Sequence, residues 1–577
     1  MANSLQRRIN MAAGREPADL LITNARVVNV FTGDVEHTDV AIGEGVILGY
    51  GPRDAASVFD AGGACLLPGL IDAHIHIESS MLSPARFAEL ALPRGTTTVV
   101  ADPHELVNVA GVAGLRYFLD CAASLPLNLR IAVPSCVPAT PFEDAGAVLH
   151  AEDMAPFMRD PYVVSVGEMM NFPGVVAGDP DVLDKIQLGH ESGRGIDGHV
   201  VGLPDKELDA YMAAGIRNNH ECNSIEEMHE ILRRGGYILL REGSAARNLG
   251  LLLRGITPAN ARRCALCCDD RHAEDFLRDG YMDHLLRLAV AQGTNPLLAV
   301  TLCTLNAAEA MGLHGKGGIA PGWDADLVLV DNLHDFTVLR TWIGGRCVAA
   351  EGRVLAEMPR VDASLLTGSV RPAPLTPHAL DVCVPSGRAR VIELAAGSLI
   401  TRNAVRNVQI TAGGLFDPAA NPGICKLAVI ERHKRTGLVG TGLLAGYGLH
   451  GGAVATSVAH DSHNIVVAGD SDKAMRTAVD RLIALGGGCV ICRDNEILAE
   501  LALPLAGLMS DDEPAAVSET LAVINRLAHT ELGIPSGVDP LMSLSFMALP
   551  VIPSLKLTAR GLFDVDRFCF VSVDAAQ

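Results

Sequence analysis

PGLIDAHIHIESS, residues 68–80, is an apolar strand that ends in two histidines and runs into a polar loop. Side chains alternate along a strand with a period of two, so His74 and His76 point to the same side. Two imidazoles aimed at one point at a strand end can chelate one metal ion. An HxH pair alone carries little weight, because paired histidines on a strand are ordinarily a surface feature or a satisfied core. Its place between an apolar strand and a polar loop gives it meaning.

Outward from that strand, residues 68–320 alternate strand and helix patterns. The eight strand candidates are GLIDAHIH, TTTVVAD, LRIAVPSC, VVSVGEMM, GIDGHVV, GIRNNHE, YILLREG and CALCCDD. Helix-like segments lie between them, among them SPARFAELALPR, SIEEMHEILRRG and MDHLLRLAVAQG. Alternating strands and helices imply a parallel sheet, and this number of units predicts an α/β fold closed into a (β/α)8 TIM-like barrel. Six strands end in polar residues: His74 with His76, Asp102, Glu168, His199, His220 and Asp269. The C-terminal strand ends form the active-site face of such a barrel, and so many converging polar ends are hard to explain as stability features.

The flanks have a different pattern. Short alternating strands with glycine turns precede the barrel (LLITNARVVNV, DVAIGEGVILGYG, ACLLPG) and return after it (ADLVLVDN, TWIGGRCVAAEGRV). They predict a small flanking β-sandwich built from residues 1–67 and 321–370. The Pro-rich RPAPLTPHAL, 371–380, reads as a linker, and residues 377–577 as a C-terminal α/β or α+β domain. The formal charge of −21 argues against a nucleic-acid or anionic-membrane partner, since either needs a basic patch. A small neutral molecule fits better than a base in a polymer. MANSLQRRINMAAGREPADL lacks the apolar region of a signal peptide. The uncharged stretch from Thr436 to Ala459 is interrupted by His450 and repeated glycines, which argues against a membrane span. Fourteen cysteines without disulfide-framework spacing predict reduced core thiols in a cytoplasmic protein. Cys264, Cys267 and Cys268 lack the second pair that a zinc ribbon needs.

Together the strand ends offer a ligand set. Imidazoles from His74, His76, His199 and His220, with carboxylates from Glu168 and Asp269, suit Mn2+, Fe2+ or Zn2+ and require no thiolate. A carboxylate can bridge two cations, so Glu168 can hold a binuclear pair together. Each residue has a plain structural alternative: core histidines at 199 and 220, an ion-pair member at 168, a helix cap at 269. Their joint occurrence at successive strand ends decides for the metal.

These residues carry a resemblance. PGLIDAHIH is similar to the opening signature of the amidohydrolase superfamily, metal-dependent hydrolases on (β/α)8 barrels with a flanking β-sandwich. HGKGGIAPGWDADLVLVD looks like that superfamily's return from barrel to sandwich. Within it the sequence resembles the bacterial adenine deaminase family over nearly its whole length. The matching pieces are HIHIESSMLSP, RGTTTVVADPHELVNVAG, VGEMMNFPGV, DGHVVGL, GIRNNHE, LLREGSAARNL, LCCDDRHAEDF and SVAHDSHNIVVAGD. Position by position, the resemblance implies metal ligation by His74, His76, Glu168, His199, His220 and Asp269, and a pair of divalent ions, Mn2+ or Fe2+. CDD offers Asp269 or Asp270; the superfamily's aspartate stands first at the end of strand eight, which favours Asp269. Hydantoinase-like and dihydroorotase-like relatives carry a carboxylated lysine on strand four, and YVVSVGEMM has none. Two departures stand out: Val200 and Val201 follow His199 where the family has a small residue and then Pro, and Asn219 precedes His220 where Asp is common.

The resemblance implies hydrolytic deamination of adenine to hypoxanthine and ammonia. A metal can lower the pKa of a bound water to about 7, and the hydroxide so formed attacks C6. Asp269 takes its proton and passes it to the departing amino group. Glu168 is either mainly a ligand or mainly the shuttle that protonates N1. Asp102, His104 and Glu105 of ADPHE, at the end of strand two, are substrate contacts or belong to a capped turn. Arg241, Glu242 and Asp270 are further candidates for contacts to the purine. His460 and His463 of AHDSHN lie either on a loop that closes over the purine or in a turn within the last domain. The alternatives are an amidohydrolase acting on another aminopurine or a cyclic amide, and a catalytically silent barrel used in binding or assembly. Zinc-type nucleoside and nucleic-acid deaminases expect H-x-E followed by P-C-x-x-C, which this chain lacks. A closed homo-oligomer is the default expectation.

Overall fold

The computed structural model describes residues 2–244, 246–395, 398 and 400–577. Eight parallel strands surround the central core: Leu70–His76, Thr96–Ala101, Asn128–Val133, Val163–Met169, Gly195–Gly198, Asn218–Asn219, Tyr237–Arg241 and Cys264–Cys267. After Cys268 the eighth resumes as Asp269–Asp270, which pairs with Ile75 and His76 of the first. Strands one to four are rich in β-branched residues and nearly all buried, as expected of parallel strands covered on both faces. Helices between them start where hydroxyl caps allow. Ser224 Oγ accepts from Glu227 N at 3.1 Å ahead of helix Ile225–Arg233.

Two seams of the barrel are stitched by side chains. Between strands eight and one, the buried Asp72 carboxylate accepts from His74 N and Cys268 N, both at 3.1 Å, and from the Tyr281 hydroxyl at 2.7 Å. Between strands five and six, Arg217 N donates to Ile196 O at 2.8 Å. Beyond that bond, Gly198 N donates to Asn218 Oδ1 at 3.0 Å and Val200 N to Asn219 Oδ1 at 2.9 Å, while Asn219 Nδ2 donates to Val200 O at 3.0 Å. A Cβ on Gly198 would stand 2.1 Å from Asn218 O, so only glycine admits this approach. The two departures from the family pattern, Val200 and Asn219, therefore bond each other. An aspartate at 219 has no donor for Val200 O.

The flanking β region is one continuous nine-stranded sheet that draws on both sides of the barrel. Cys65–Pro68 lies between Ala18–Asn29 and Leu327–Val330. Its two arms enclose Ile22, Val40, Ile47, Leu66, Leu327 and Trp342, with Phe59 edge-on to Trp342 at 5.4 Å. The C-terminal region is α+β. Its eight-stranded sheet is antiparallel except where Arg388–Leu394 runs beside Val439–Ala445, and helix Asp472–Leu485 packs on it. The uncharged stretch supplies two of these strands, Val439–Ala445 and Gly452–Thr456. No described helix is long and apolar enough to cross a membrane. Cys264, Cys267 and Cys268 are free and buried in the barrel wall.

Candidate metal centre and active site

At the C-terminal mouth of the barrel the strand ends bring His74, His76, Glu168, His199, His220 and Asp269 together. His74 and His76 point the same way, with Nε2 atoms 3.1 Å apart. Asp269 Oδ1 lies 3.1 Å from His76 Nε2 and 3.8 Å from His74 Nε2. Glu168 stands in the middle. Its Oε1 is 3.3 Å from His76 Nε2, while Oε2 is 3.1 Å from His220 Nε2 and 2.6 Å from His199 Nδ1. One oxygen of Glu168 thus faces each side of the cluster.

The donor chemistry of this cluster fits divalent cations. His76 Nδ1 is 2.8 Å from Asp102 O, so that nitrogen donates to the carbonyl and Nε2 is the one turned to His74 Nε2; against burial, Asp269 and Glu168 beside Nε2 hold the ring well above the ordinary histidine range. Two imidazole nitrogens so close need a proton or a cation between them. Burial, then His220 and His76, push His74 well below the ordinary histidine range, which keeps it neutral and able to ligate. Burial works against charge on Glu168, yet His199, His220 and His76 hold it well below the ordinary carboxylate range. Asp269 is likewise held low against burial by Arg241, His76 and His220. Buried carboxylates persist only when paired or metal-bound. His74 with His76 and Asp269, and His74 with Glu168 and His220, each bring three donor atoms within 4.8 Å of one another. His76, His104 and Glu168 form a similar group, as do His199, His220 and Glu221.

Neighbouring residues orient this set. Asp102 Oδ2 accepts from Glu168 N at 2.8 Å, and a Cβ on Gly167 would stand 2.2 Å from that oxygen. His104 Nδ1 lies 3.3 Å from Glu168 Oε1. Both are therefore beside the ligand set. Arg241 donates from one terminal nitrogen to Asp269 Oδ2 at 2.6 Å and from both to the Glu221 carboxylate. Its terminal nitrogens are engaged by carboxylates, while its buried Nε has no hydrogen-bond partner. Glu242 turns the other way, as the next side chain on a strand must, toward Arg247, Arg271 and the backbone of Leu249. It does not join the cluster. Asp270 accepts from Ser79 Oγ and faces an adjacent pocket, whereas Asp269 faces the histidines. Ala245, within GSAARN, lies outside the described residues. Glu221 was not among the candidates read from sequence, and its position next to His220 was the available signal.

The AHDSHN segment reaches the barrel. His460 Nδ1 is 2.8 Å from Glu105 Oε1, and His463 Nε2 is 3.7 Å from Glu105 Oε2. The His460 ring stacks on Phe546, with centroids 4.4 Å apart. A pocket between the two domains is lined by Ser79 and Asp270 from the barrel and by Val458, His460, Leu541 and Phe546 from the C-terminal domain.

A mixed histidine–carboxylate cluster at this end of a (β/α)8 barrel is the site of a metal-dependent hydrolase, and residues 65–348 match the Amidohydrolase family model. Residues 398–569 match the Adenine deaminase C-terminal domain. The chain is 54% identical to an adenine deaminase of Nitratidesulfovibrio vulgaris over 98% of both chains. It is 43% identical to adenine deaminase 2 of Desulfotalea psychrophila over 99% of both, and 41% identical to an adenine deaminase of Halalkalibacterium halodurans over 99% of this chain and 98% of the other. The chain belongs to the adenine deaminase family of the amidohydrolase superfamily.

Proposed function

We propose that this enzyme hydrolyses adenine to hypoxanthine and ammonia. The observation that carries the reading is likeness to adenine deaminases across barrel and C-terminal domain alike, together with an intact ligand cluster. Full-length kinship favours adenine over another aminopurine or a cyclic amide. His74, His76 and Asp269 would hold one ion and His199 with His220 the other, with Glu168 between them. Mn2+ or Fe2+ is the family's pair, and the same donors suit Zn2+. When bound, the ions supply Lewis acidity and a nucleophile at neutral pH.

The chain's own groups then divide the work. Arg241 fixes Asp269 Oδ2, so Oδ1 alone faces the histidines. That oxygen is placed to take the nucleophile's proton and return it to the amino group leaving C6. Both oxygens of Glu168 are engaged, Oε1 beside His76 and Oε2 beside His199, which favours a bridging ligand over a proton shuttle to N1. Asp270 and Ser79 face the pocket from the barrel side. A cytoplasmic homo-oligomer completes the reading, supported by the many buried free thiols and by the prevalence of closed symmetric assemblies.

The test supplies purified Mn2+-loaded protein with adenine and follows ammonia release beside the purine ultraviolet spectrum. Equal yields of ammonia and hypoxanthine are expected. No turnover with two metals bound per chain overturns adenine as the substrate.

A further inference from the structure

Buried polar atoms without a hydrogen-bond partner gather where the C-terminal domain meets the end of the second barrel strand. Among the described residues they include Asp102 Oδ1, His104 Nδ1 and Glu105 Oε2 from the barrel, and Asp461 Oδ2 and His463 Nε2 from the loop above. Each of these residues is at most 5% exposed. Polar atoms this deep are costly unless a ligand or water satisfies them.

The histidines of the loop do not make another metal site there, although Glu105, His460 and His463 lie within ligand distance of one another. His463 Nδ1 accepts from Ala459 N at 3.1 Å, so the neutral ring carries its proton on Nε2 and has no lone pair left for a cation. Burial keeps that ring neutral by pushing it well below the ordinary range. His460 is the opposite case. Burial disfavours its charge, but Glu105 holds it up at about 9, so Nδ1 donates to Glu105 Oε1 as a charged partner. Phe546 covers the face of this ring, and His460 N donates to Ser545 O at 3.1 Å. Both rings therefore bear on one barrel carboxylate, Glu105: His460 pairs with Oε1, while Oε2 stands 3.7 Å from His463 Nε2 and makes no hydrogen bond.

We propose that Glu105 contacts the substrate and that His460 and His463 are positioning residues for it, so that the C-terminal domain completes the substrate-reading wall of the barrel site. This rests on the adenine reading above. A purine edge alternates N–H donors with ring-nitrogen acceptors. The unpartnered carboxylate oxygens here, on Glu105, Asp102 and Asp461, can answer its donors.

The test uses the full-length, metal-loaded enzyme and four variants: Glu105→Gln, His460→Ala, His460→Asn and the double Glu105→Gln/His460→Ala. Metal content by elemental analysis and the thermal midpoint accompany kcat and KM for adenine. His460→Ala is expected to lower kcat/KM by about 100-fold with both metals retained. His460→Asn, whose amide nitrogen can take the place of Nδ1, recovers about tenfold of that loss. The double variant falls no further than Glu105→Gln alone, because His460 acts through Glu105. Losses that multiply in the double variant, or a His460→Ala enzyme within about twofold of the wild type, overturn the proposal. A wild type that releases no ammonia from adenine removes the reading beneath it instead, and the proposal with it.

Discussion

The strand-end cluster and the AHDSHN loop both set histidines against carboxylates, and they do opposite things with them. At the strand ends, His76 engages Nδ1 at the Asp102 carbonyl and turns its other nitrogen to His74, 3.1 Å away. In the loop, His463 engages the lone pair of Nδ1 with Ala459 N, and His460 engages its proton with Glu105. The first arrangement suits a cation, the second holds a carboxylate in place. What separates them is the use made of the second ring nitrogen, not the residue types.

The most severe way to break the cluster side of this contrast is Asp269→Asn. Turnover of adenine should fall by about 1,000-fold while metal content stays at the wild-type level, since the proposed proton carrier is lost and the histidines remain. Near-normal kcat would remove Asp269 from proton transfer. Next comes the seam that carries the cluster. Asp72→Ala leaves His74 N, Cys268 N and the Tyr281 hydroxyl without their acceptor and should cost about 3 kcal/mol in chemical denaturation. A change below about 0.5 kcal/mol would mean that the eight–one seam is held by other contacts.

The loop side is sharpened by pH. His460 stands at about 9 in the fold, above its ordinary 6.5. A raised histidine contributes stability that is full below about pH 6.5 and is lost as pH rises through about 9. The wild type should therefore lose up to about 3 kcal/mol relative to His460→Asn across that window. Thermal midpoints measured from pH 6 to 9.5 check it, and parallel curves for the two proteins would sink it. The smallest effect belongs to Asn219→Asp, which replaces the side-chain amide with a carboxylate. It forfeits the donor to Val200 O and should cost about 1 kcal/mol, with kcat/KM within about threefold of the wild type. A larger catalytic loss would place Asn219 in the chemistry rather than the seam.

Much of the histidine–carboxylate cluster was legible because a strand encodes direction locally. The spacing of His74 and His76 and the polar ends of strands two, four, five, six and eight state which side chains meet at the mouth. Glu242 shows the limit of reading strand ends without their alternation, since its neighbour Arg241 turns inward and Glu242 does not. Arg241 itself was visible as a polar strand end, but its attachment to Asp269 and Glu221 was not. Glu221 and Asp72 passed for ordinary neighbours of conspicuous histidines. Their roles depend on what lies across a strand gap.

By itself, then, the sequence determined the barrel, the histidines and carboxylates at its strand ends and their convergence, because each follows from a two-residue period or a strand–helix alternation within short stretches of chain. Only the tertiary structure decided how the barrel closes and what covers it. Asp72 meets Cys268 across the eight–one seam, Asn219 meets Val200 across the five–six seam, and His460 meets Glu105 across a domain boundary. Those pairings join residues from separate elements, and packing chooses among the partners that local pattern leaves equivalent.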